Sequence, residues 1–564
     1  MIANRKETIS KEILKTTATI LILLFLSISM LMPHAPAASP TDSKQGALER
    51  FRSSGVESQD LSSGAFYPTG TSSGSPPITW GANINVFPSS YEQDEPTIAV
   101  SPANPNITVV GHHERQGPAF PAPILCAFEA SSNGGGTWTR FGVTTLEGPP
   151  FVFGQAGGHS CSDAVLAADS LGNFYYSYLD LFRTPDGGVS QVDVLVAKST
   201  DGGQSFSAPI VVSVGTVEDP DKQWIEVDRN PGSPFLGNVY VTDTDFSGIE
   251  TPGVGAVIRF RESTNGGATF QPAASQVGVR VSDFGDFQVM PRRDICPNKC
   301  FDFLFRYMQG SSISIGPKGE IYVIYSDNTE VETFDFRGST PTFLDARMVA
   351  AKIMMAKSTN GGSSWSRSVV RDMCSPAPCR SAGTDAHVAN APYFRVGSNP
   401  TASASGGLVF AAWAEYRSVT FAPVGGRDFA VSNGDIFFAR TTDGGATWQP
   451  AIKVNDDTTT NDQFFPAMVA RQGGVVHIVW LDRRLDSNNV KYDVFYSSSD
   501  DGGVTFSANV RVTTASSNPQ PVGFIGDYID LDGASGPFQV QAVWTDRRDT
   551  TTRNDVYTAK RLPT

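Results

Sequence analysis

The sequence predicts an all-β protein, a seven-bladed β-propeller built from four-stranded antiparallel blades. Two observations predict this fold. The eight-residue stretch at 199–206 (STDGGQSF) recurs five more times, and each copy lies between two alternating apolar segments. Ahead of each copy, a glycine turn precedes an apolar strand that ends in an acid. Four-stranded units repeated along a long chain are typical of propeller blades.

The repeated stretch, called the box below, is predicted to be a turn between the third and fourth strands of its blade. Its glycines supply positive φ, and its Asp or Asn side chain accepts hydrogen bonds from nearby backbone N–H groups. The closing Phe or Trp can bury its ring beside the hairpin. Neither a ligand nor a metal is needed to explain these residue types. The six predicted structural Asp/Asn positions are Asn133, Asp201, Asn265, Asn360, Asp443 and Asp501.

Ring closure is predicted from the last unit, which has no box. This unit begins near Phe524 and reaches the end of the chain with three strands. The segment 78–87 resembles the fourth strands of the other units, so we expect it to complete the last blade and close the ring. Closure removes exposed sheet edges. The propeller is therefore expected to span 78–564, with a six-bladed ring as the alternative.

The N-terminal segment is expected to direct export. Basic residues precede a short apolar run, and small residues follow it, as in a signal peptide over 1–38. A membrane anchor is the competing interpretation, but the run is short for a bilayer span. Residues 39–77 are rich in Ser, Gly and Pro and are predicted to form a flexible leader. We expect a secreted or cell-surface protein with no stable membrane span after signal cleavage.

Charge and cysteine content indicate which class of partner and which cysteine chemistry to expect. The formal net charge is −14 with 18% charged residues and no Lys/Arg clusters, which argues against a nucleic-acid partner. Six cysteines in an exported chain favour disulfides over zinc. The short spacings predict local bridges, which leave one long-range pair, although other connectivities stay open. The predicted pairs are Cys296–Cys300, Cys374–Cys379 and Cys126–Cys161.

The six boxes resemble the Asp-box, or bacterial neuraminidase repeat, of the sialidase superfamily. The resemblance covers roughly 78–564 and implies a sialidase-like propeller with the boxes on the face away from the active site. It also implies an exo-glycosidase acting on an acidic sugar such as sialic acid, although the superfamily includes proteins without enzymatic activity. Family sialidases bind the substrate carboxylate with three arginines and use a tyrosine nucleophile. Their Arg-Ile-Pro sequence is missing from this chain.

Candidate binding residues follow the acid that ends each second strand. An acid that recurs in all seven units favours a structural role. The seven acids are Glu114, Asp180, Asp245, Asp327, Glu415, Asp482 and Asp546. Arginines after this acid occur in blades 1, 5, 6 and 7, a contiguous arc in a closed ring. Guanidinium groups pair with carboxylates. The predicted substrate-binding arginines are Arg115, Arg417, Arg483 and Arg547, and an ion-pair belt between blades is the alternative.

Candidate catalytic residues lie in the loops that lead into the first strands. These are Asp94 with Glu95 and Asp527 with Tyr528, and further acids stand at Asp163, Asp221 and Asp462. Two carboxyl groups across a pocket are what glycoside hydrolysis needs. A tyrosine beside a base could instead act as the nucleophile. The alternative for Tyr528 is an ordinary strand aromatic.

The expected partner is a glycan or glycoconjugate, and we expect a monomer with no cofactor and no metal site. Asp243 with Asp245, and the acids of 455–462, hint at structural calcium, but neither spacing matches a complete calcium loop. Two functions stay open, a secreted sialidase-like glycoside hydrolase and a non-catalytic glycan- or protein-binding propeller. A polysaccharide lyase on the same ring is a third.

Overall fold

The computed structural model describes residues 78–563, apart from fifteen short segments. These gaps are 118–122, 250, 295, 297–298, 339–341, 375–385, 388–394, 397–398, 417–420, 425–426, 431–433, 520–523, 534–535, 537–538 and 549–552. The expected signal peptide and leader lie outside the described residues. Across the described part, no helix has both the length and the apolar character needed to cross a bilayer.

The described chain folds into seven antiparallel sheets, of which the fourth has five strands and the others have four. Sheet 1 holds Glu92–Val100, Thr108–Arg115, Ile124–Ser131 and Thr139–Val143; sheet 2 holds Gly158–Ala168, Phe174–Arg183, Val189–Ser199 and Ile210–Ser213; sheet 3 holds Pro220–Val227, Val239–Asp245, Val257–Ser263 and Val279–Arg280. Sheet 4 holds Asp286–Pro291, Cys300–Ile315, Ile321–Asp335, Thr342–Ser358 and Ser366–Asp372; sheet 5 holds Thr401–Ser405, Leu408–Tyr416, Gly434–Thr441 and Ile452–Lys453. Sheet 6 holds Gln463–Arg471, Val475–Asp482, Asp493–Ser499 and Val510–Arg511; sheet 7 holds Asp530–Gly533, Val540–Asp546, Asp555–Lys560 and Ile84–Asn85.

Smaller elements decorate this framework. Two two-stranded ribbons pair Ala386–His387 with Arg395–Val396 and Phe421–Val424 with Arg427–Ala430, and one 3₁₀ turn spans Gln472–Gly474. Sheet 4 is the largest because its central strands contain 16, 15 and 17 residues. Much of 283–310 and 328–347 therefore forms strands of sheet 4.

Sheet 7 combines strands from both ends of the propeller region. Ile84 lies opposite Thr558 and Asn85 lies opposite Tyr557, in antiparallel register. This is the pairing expected of the N-terminal strand. It supplies the fourth strand that the last unit lacks, so the edge of Asp555–Lys560 is covered. The boundaries predicted for the leader and for the whole region stay predictions.

Hydrogen bonds join adjacent sheets into a closed circuit. The amide of Leu166 donates to Thr97 Oγ1 (2.9 Å), and the amide of Ile98 donates to Asp530 Oδ2 (2.9 Å). The remaining links are Gln223 to the Asp163 carbonyl, Ser311 to Thr242, Ala402 to Ser312, Ala470 to Ser403, and Arg471 to Asp532. Seven sheets linked in a ring about a common axis are consistent with a β-propeller.

The hydrophobic core lies between neighbouring sheets. Sheets 5 and 6, for example, bury Phe410, Phe438, Met468 and Trp480 against one another. The second strands are apolar along most of their length because both faces are covered. Three of them carry a fully buried tryptophan, at Trp413, Trp480 and Trp544. The ring is thus stabilised by a series of intersheet cores rather than by a single central one.

The box turns share one hydrogen-bonding pattern. In 199–206, Ser199 Oγ donates to Asp201 Oδ1 (2.8 Å) and accepts from the amide of Gly203 (2.9 Å). Asp201 also accepts from the amide (3.0 Å) and hydroxyl (2.6 Å) of Ser205. The bonds to this hydroxyl and acid or amide recur in the other five boxes. The second glycine of each box lies against the preceding sheet, as Gly203 does on Val109 and Gly362 on Phe260.

Two of the predicted disulfides are confirmed. Cys126 in the third strand of sheet 1 is bonded to Cys161 in the first strand of sheet 2, so this bridge joins neighbouring sheets. Cys296 is bonded to Cys300 and closes the turn that begins the second strand of sheet 4. Cys374 is also disulfide-bonded, and Cys379 lies outside the described residues. The third predicted pair stays a prediction.

Candidate active site

The acid predicted to end each second strand is paired with an arginine in six sheets and with a histidine in sheet 2. Arg484 Nη2 lies 2.8 Å from Asp482 Oδ2, and Arg548 Nη2 lies 2.6 Å from Asp546 Oδ2. Arginines pair in the same way with Glu114, Asp245, Asp327 and Glu415, and His159 pairs with Asp180. Most of these pairs lie within one sheet, and only Arg371 with Glu415 joins two neighbouring sheets, so they differ from the belt between blades that was the alternative for the arginine arc.

The described members of the predicted arginine arc do not form an open anion site. Arg483 is fully buried and donates from Nη1 to the carbonyl of Asn489 (2.8 Å). Arg547 is also buried and donates to the carbonyl of Pro519 (2.8 Å). Arg115 is half-buried beside Glu92, with 3.4 Å between Nε and Oε2. Arg417 lies outside the described residues. The prediction that these side chains bind substrate together is corrected for Arg483 and Arg547, because their guanidinium groups bind loop carbonyls.

The first strands contain a bulge at one recurrent position. The pairing register shifts between Asp94 and Thr97 in sheet 1, and at the matching place in sheets 2, 3, 4 and 6. Non-glycine residues adopt positive φ in four of these bulges, at Glu95 (51°), Asp163 (52°), Lys222 (47°) and Phe465 (51°). Such backbone is costly for side chains with a Cβ and is concentrated at functional sites. The bulges therefore mark this level of the axis as the candidate site.

Seven polar side chains from sheets 1, 2, 3 and 7 meet at this level. We call them the axial cluster: Asp94, Glu95, His113, Asp163, Lys222, Asp527 and Tyr528. His113 Nδ1 lies 3.2 Å from Glu95 Oε2 and 3.4 Å from Asp94 Oδ1. Tyr528 donates its hydroxyl to the carbonyl of Ala164 (3.0 Å), and Lys222 Nζ lies 3.7 Å from the centre of the Tyr528 ring. The four predicted catalytic residues thus lie in one cluster.

Burial and neighbouring carboxylates set the protonation of the cluster. Burial, followed by the charges of Asp163, Asp527 and Asp94, raises the pKa of Glu95 to about 8. Burial lowers the pKa of His113, but Glu95 and Asp94 outweigh it and raise that pKa to about 9. Burial and the same carboxylates raise the pKa of Tyr528 well above its ordinary value. Burial thus favours the protonated forms of Glu95 and Tyr528, and the neighbouring carboxylates favour the protonated form of His113.

A cavity of about 690 Å³ runs along the axis beside the cluster. Lys222 and Tyr528 line its upper end, whereas its lining includes neither Glu95 nor Asp163. Its lower end lies where the first strands finish, near Glu226, Arg229, Arg471 and Asp532. The turns between first and second strands meet the boxes there, as the 2.8 Å bond from Gly134 N to the Asn106 carbonyl shows. The cavity thus lies on the box side of the cluster, whereas the sequence favoured the opposite face.

Two members of the cluster were not singled out as catalytic or binding residues from the sequence. His113 directly precedes Glu114, and the sequence repeat points to Glu114 rather than to His113. Lys222 is the only cation at the bulge position among the described sheets, where the other residues are Glu95, Asp163, Gly310, Asn399, Phe465 and Tyr528. Superposing the repeats at this position would have isolated Lys222. Its position over the aromatic ring of Tyr528 is evident only from the tertiary structure.

The residues that hinted at calcium are engaged with arginines. Asp245 Oδ2 lies 2.8 Å from Arg259 Nη2, and Asp243 Oδ1 lies 3.6 Å from Arg261 Nη1. Asp456 Oδ1 lies 2.7 Å from Arg484 Nη1. One further group, Cys296, Cys300 and Asp335, has the spacing of metal ligands, but its two sulfurs form a disulfide. Such sulfurs are not the thiolates that metals bind.

Comparisons with known proteins show no family for this chain. No family model matches it, and no curated protein matches it. Among solved structures, an ulvan lyase is 10% identical with a TM-score of 0.42, over 85% of this chain and 95% of that one. An α-L-arabinofuranosidase from Fusarium graminearum is 9% identical with a TM-score of 0.40, over 85% and 97%. The intramolecular trans-sialidase of Ruminococcus gnavus is 12% identical with a TM-score of 0.38, over 72% and 94%.

Proposed function

We propose that this protein is an exported glycoside hydrolase of sialidase type that acts on an acidic sugar. In this proposal, residues 78–564 form a seven-bladed Asp-box propeller that follows a cleaved signal peptide and a leader. The observation that carries the proposal is the convergence of Asp94, Glu95, Asp163, Asp527 and Tyr528 at one level of the axis. Carboxyl groups with different protonation in one site are the requirement of glycoside hydrolysis.

Within the cluster, the proposed roles follow from charge. Glu95 retains its proton at neutral pH, because burial raises its pKa to about 8, and so acts as the general acid. Tyr528 is a neutral phenol and needs a base to become a nucleophile, a role that we assign to Asp527. Asp94 lies 3.4 Å from His113, and the imidazolium offsets part of the negative charge around Glu95. Glu95 and Asp527 are thus the proposed acid and base.

The test is product release from a broad panel of fluorogenic glycosides that includes sialosides and uronides. Wild-type protein is expected to release sugar, and Glu95→Gln is expected to lower kcat by roughly 10²- to 10⁴-fold, the usual contribution of a general acid. Tyr528→Phe is expected to lower it comparably. Asp501→Asn is the matched control, because this carboxyl group lies in a box and not on the axis. If wild-type protein releases nothing from any substrate, the hydrolase proposal is abandoned.

A non-catalytic glycan-binding propeller is the second candidate. It is favoured by the closure of the cluster, in which the exposed fractions of Asp94, Glu95 and Asp163 are 4%, 3% and 7%. The hydroxyl of Tyr528 is also engaged with the carbonyl of Ala164. Glycan binding without turnover would favour this candidate. A product that absorbs as an unsaturated uronate would instead identify a lyase.

A further inference from the structure

Lys222 is a buried cation with no hydrogen-bond acceptor in the described structure. Its residue is 7% exposed, and its Nζ is buried without a partner. Two aromatic rings are its nearest described partners, Tyr528 at 3.7 Å and Trp224 at 5.7 Å from Nζ to the ring centre. Cation–π contacts offset only part of the cost of removing an ammonium group from water. Among the described residues, Lys222 Nζ therefore lacks the hydrogen-bonded acceptor that a buried ammonium group requires.

Two other buried cations of the ring are paired with carboxylates. Arg261 is fully buried and has Glu218 at 2.6 Å, and Arg471 is paired with Asp532. An unpaired buried charge is strongly destabilising, so an anion that pairs with Lys222 would stabilise the folded protein. The missing partner is then an anion that arrives with a ligand.

The surroundings of Lys222 define the ligand. Lys222 lines the 690 Å³ axial cavity, a volume within the range of small-molecule sites. At the other end of the cavity the charges balance, since Glu226 pairs with Arg229 and Asp532 with Arg471. Between them the wall consists of first-strand residues, including Trp224, that are mainly apolar or hydroxylic. Lys222 and Glu226 lie four residues apart on the same strand, so they line different levels of the cavity. The cavity thus fits an elongated ligand with one anionic end.

We propose that the axial cavity binds an anionic sugar and that Lys222 Nζ contacts its carboxylate or sulfate group. The ammonium is a compact point charge that pairs with either anion. The identity of the ligand as a sugar rests on the proposed function, whereas the role of Lys222 in anion binding does not require turnover. Lys222 takes the role that the sequence gave to the arginine arc.

The test compares charged and neutral sugars of the same length by calorimetry. The pairs are sialyllactose with lactose, an oligouronate with its carboxyl-reduced form, and a sulfated oligosaccharide with its desulfated form. In at least one pair, wild-type protein is expected to prefer the charged member. Lys222→Met is expected to weaken that binding by about 30-fold or more, the usual effect of truncating a buried charge pair, and to leave neutral sugars unaffected. The preferred pair distinguishes carboxylate from sulfate.

Thermal unfolding of the ligand-free protein supplies the second measurement. Lys222→Met is expected to raise Tm, because it removes an unpaired charge and keeps the apolar stem. Lys357→Met is the matched control, since Lys357 Nζ lies 5.5 Å from the Tyr322 ring outside the cavity. A lower Tm for Lys222→Met, or equal binding of charged and neutral sugars in every pair, overturns the inference. If charged sugars bind in a Lys222-dependent way but are not turned over, the hydrolase proposal is overturned and the anion-binding inference stands.

Discussion

The carboxylates of the boxes and those of the axial cluster have opposite surroundings. Asp443 lies in an exposed turn and accepts bonds from Thr441 and from both the amide and the hydroxyl of Thr447, so its pKa is lowered. Glu95 is buried among other carboxylates, and its Oε2 has no hydrogen bond. One environment favours the charged form and the other favours the protonated form.

The difference separates positions that build the ring from positions that give it chemistry. The box is repeated almost unchanged six times, and each copy satisfies its own polar groups. At the bulge position every described sheet carries a different residue, and two polar atoms there, Glu95 Oε2 and Lys222 Nζ, have no hydrogen-bond partner. Buried polar groups that lack hydrogen-bond partners are more often functional than structural. Variation within a repeat therefore locates the candidate site better than the repeat itself does.

The largest effect is expected from the glycine at the centre of a box. Gly362 has a φ of +88°, and an added Cβ would lie 2.1 Å from Phe260 Cε1. Gly362→Ala is expected to lower the free energy of unfolding by about 3 kcal/mol, from backbone strain and steric clash together. Chemical denaturation measures it. Gly406→Ala is the control, with a φ of +61° and no neighbouring atom within 4 Å, and should cost about 1 kcal/mol. Equal costs would show that the contact between sheets contributes nothing.

A smaller effect is expected from pH acting on the axial cluster. Because the folded protein raises the pKa of Glu95 from 4.5 to about 8 and that of His113 from 6.5 to about 9, it binds more protons than the unfolded chain. Stability is therefore highest below the unfolded values and declines as pH rises toward 9. Glu95→Gln mimics the protonated acid, so its Tm should match wild type at pH 5 and exceed it at pH 9. A constant difference between the two proteins would contradict this assignment.

The smallest effect is expected from the box carboxylate, and its pH dependence has the opposite sign. Asp443→Asn should lower Tm only slightly at neutral pH, because Asn133 and Asn265 accept the same amide bond in their boxes. The pKa of Asp443 is lowered from 3.8, so its stabilisation is present above that value and disappears as pH falls through the folded pKa. The two proteins should therefore converge in acid. Convergence at high pH instead would mean that this carboxyl group is not the hydrogen-bonded anion described here.

Several features could be predicted from the sequence because they depend on local chemistry. The hydroxyl, acid and two glycines of a box form a turn whose bonds span at most four residues, and any such segment can make them. The Cys296–Cys300 bridge is equally local. Asp94, Glu95, Asp527 and Tyr528 were predicted from their places ahead of first strands, and they do meet. The roles of the arginines could not be predicted in the same way. The sequence predicts that Arg483 and Arg547 bind substrate, whereas in the structure their guanidinium groups bind loop carbonyls.

The sequence by itself determined the repeat, the strand pattern and the turns, because alternation of side chains and turn residues acts within a few positions. Only the tertiary structure decided how these elements combine into a closed ring of sheets. Closure by Ile84–Asn85 depends on a strand more than 400 residues away from its partner, a separation evident from Ile84 opposite Thr558. The contact of Lys222 with Tyr528 likewise joins side chains from sheets 3 and 7. Burial and pKa are properties of that assembled interior, and no single repeat contains them.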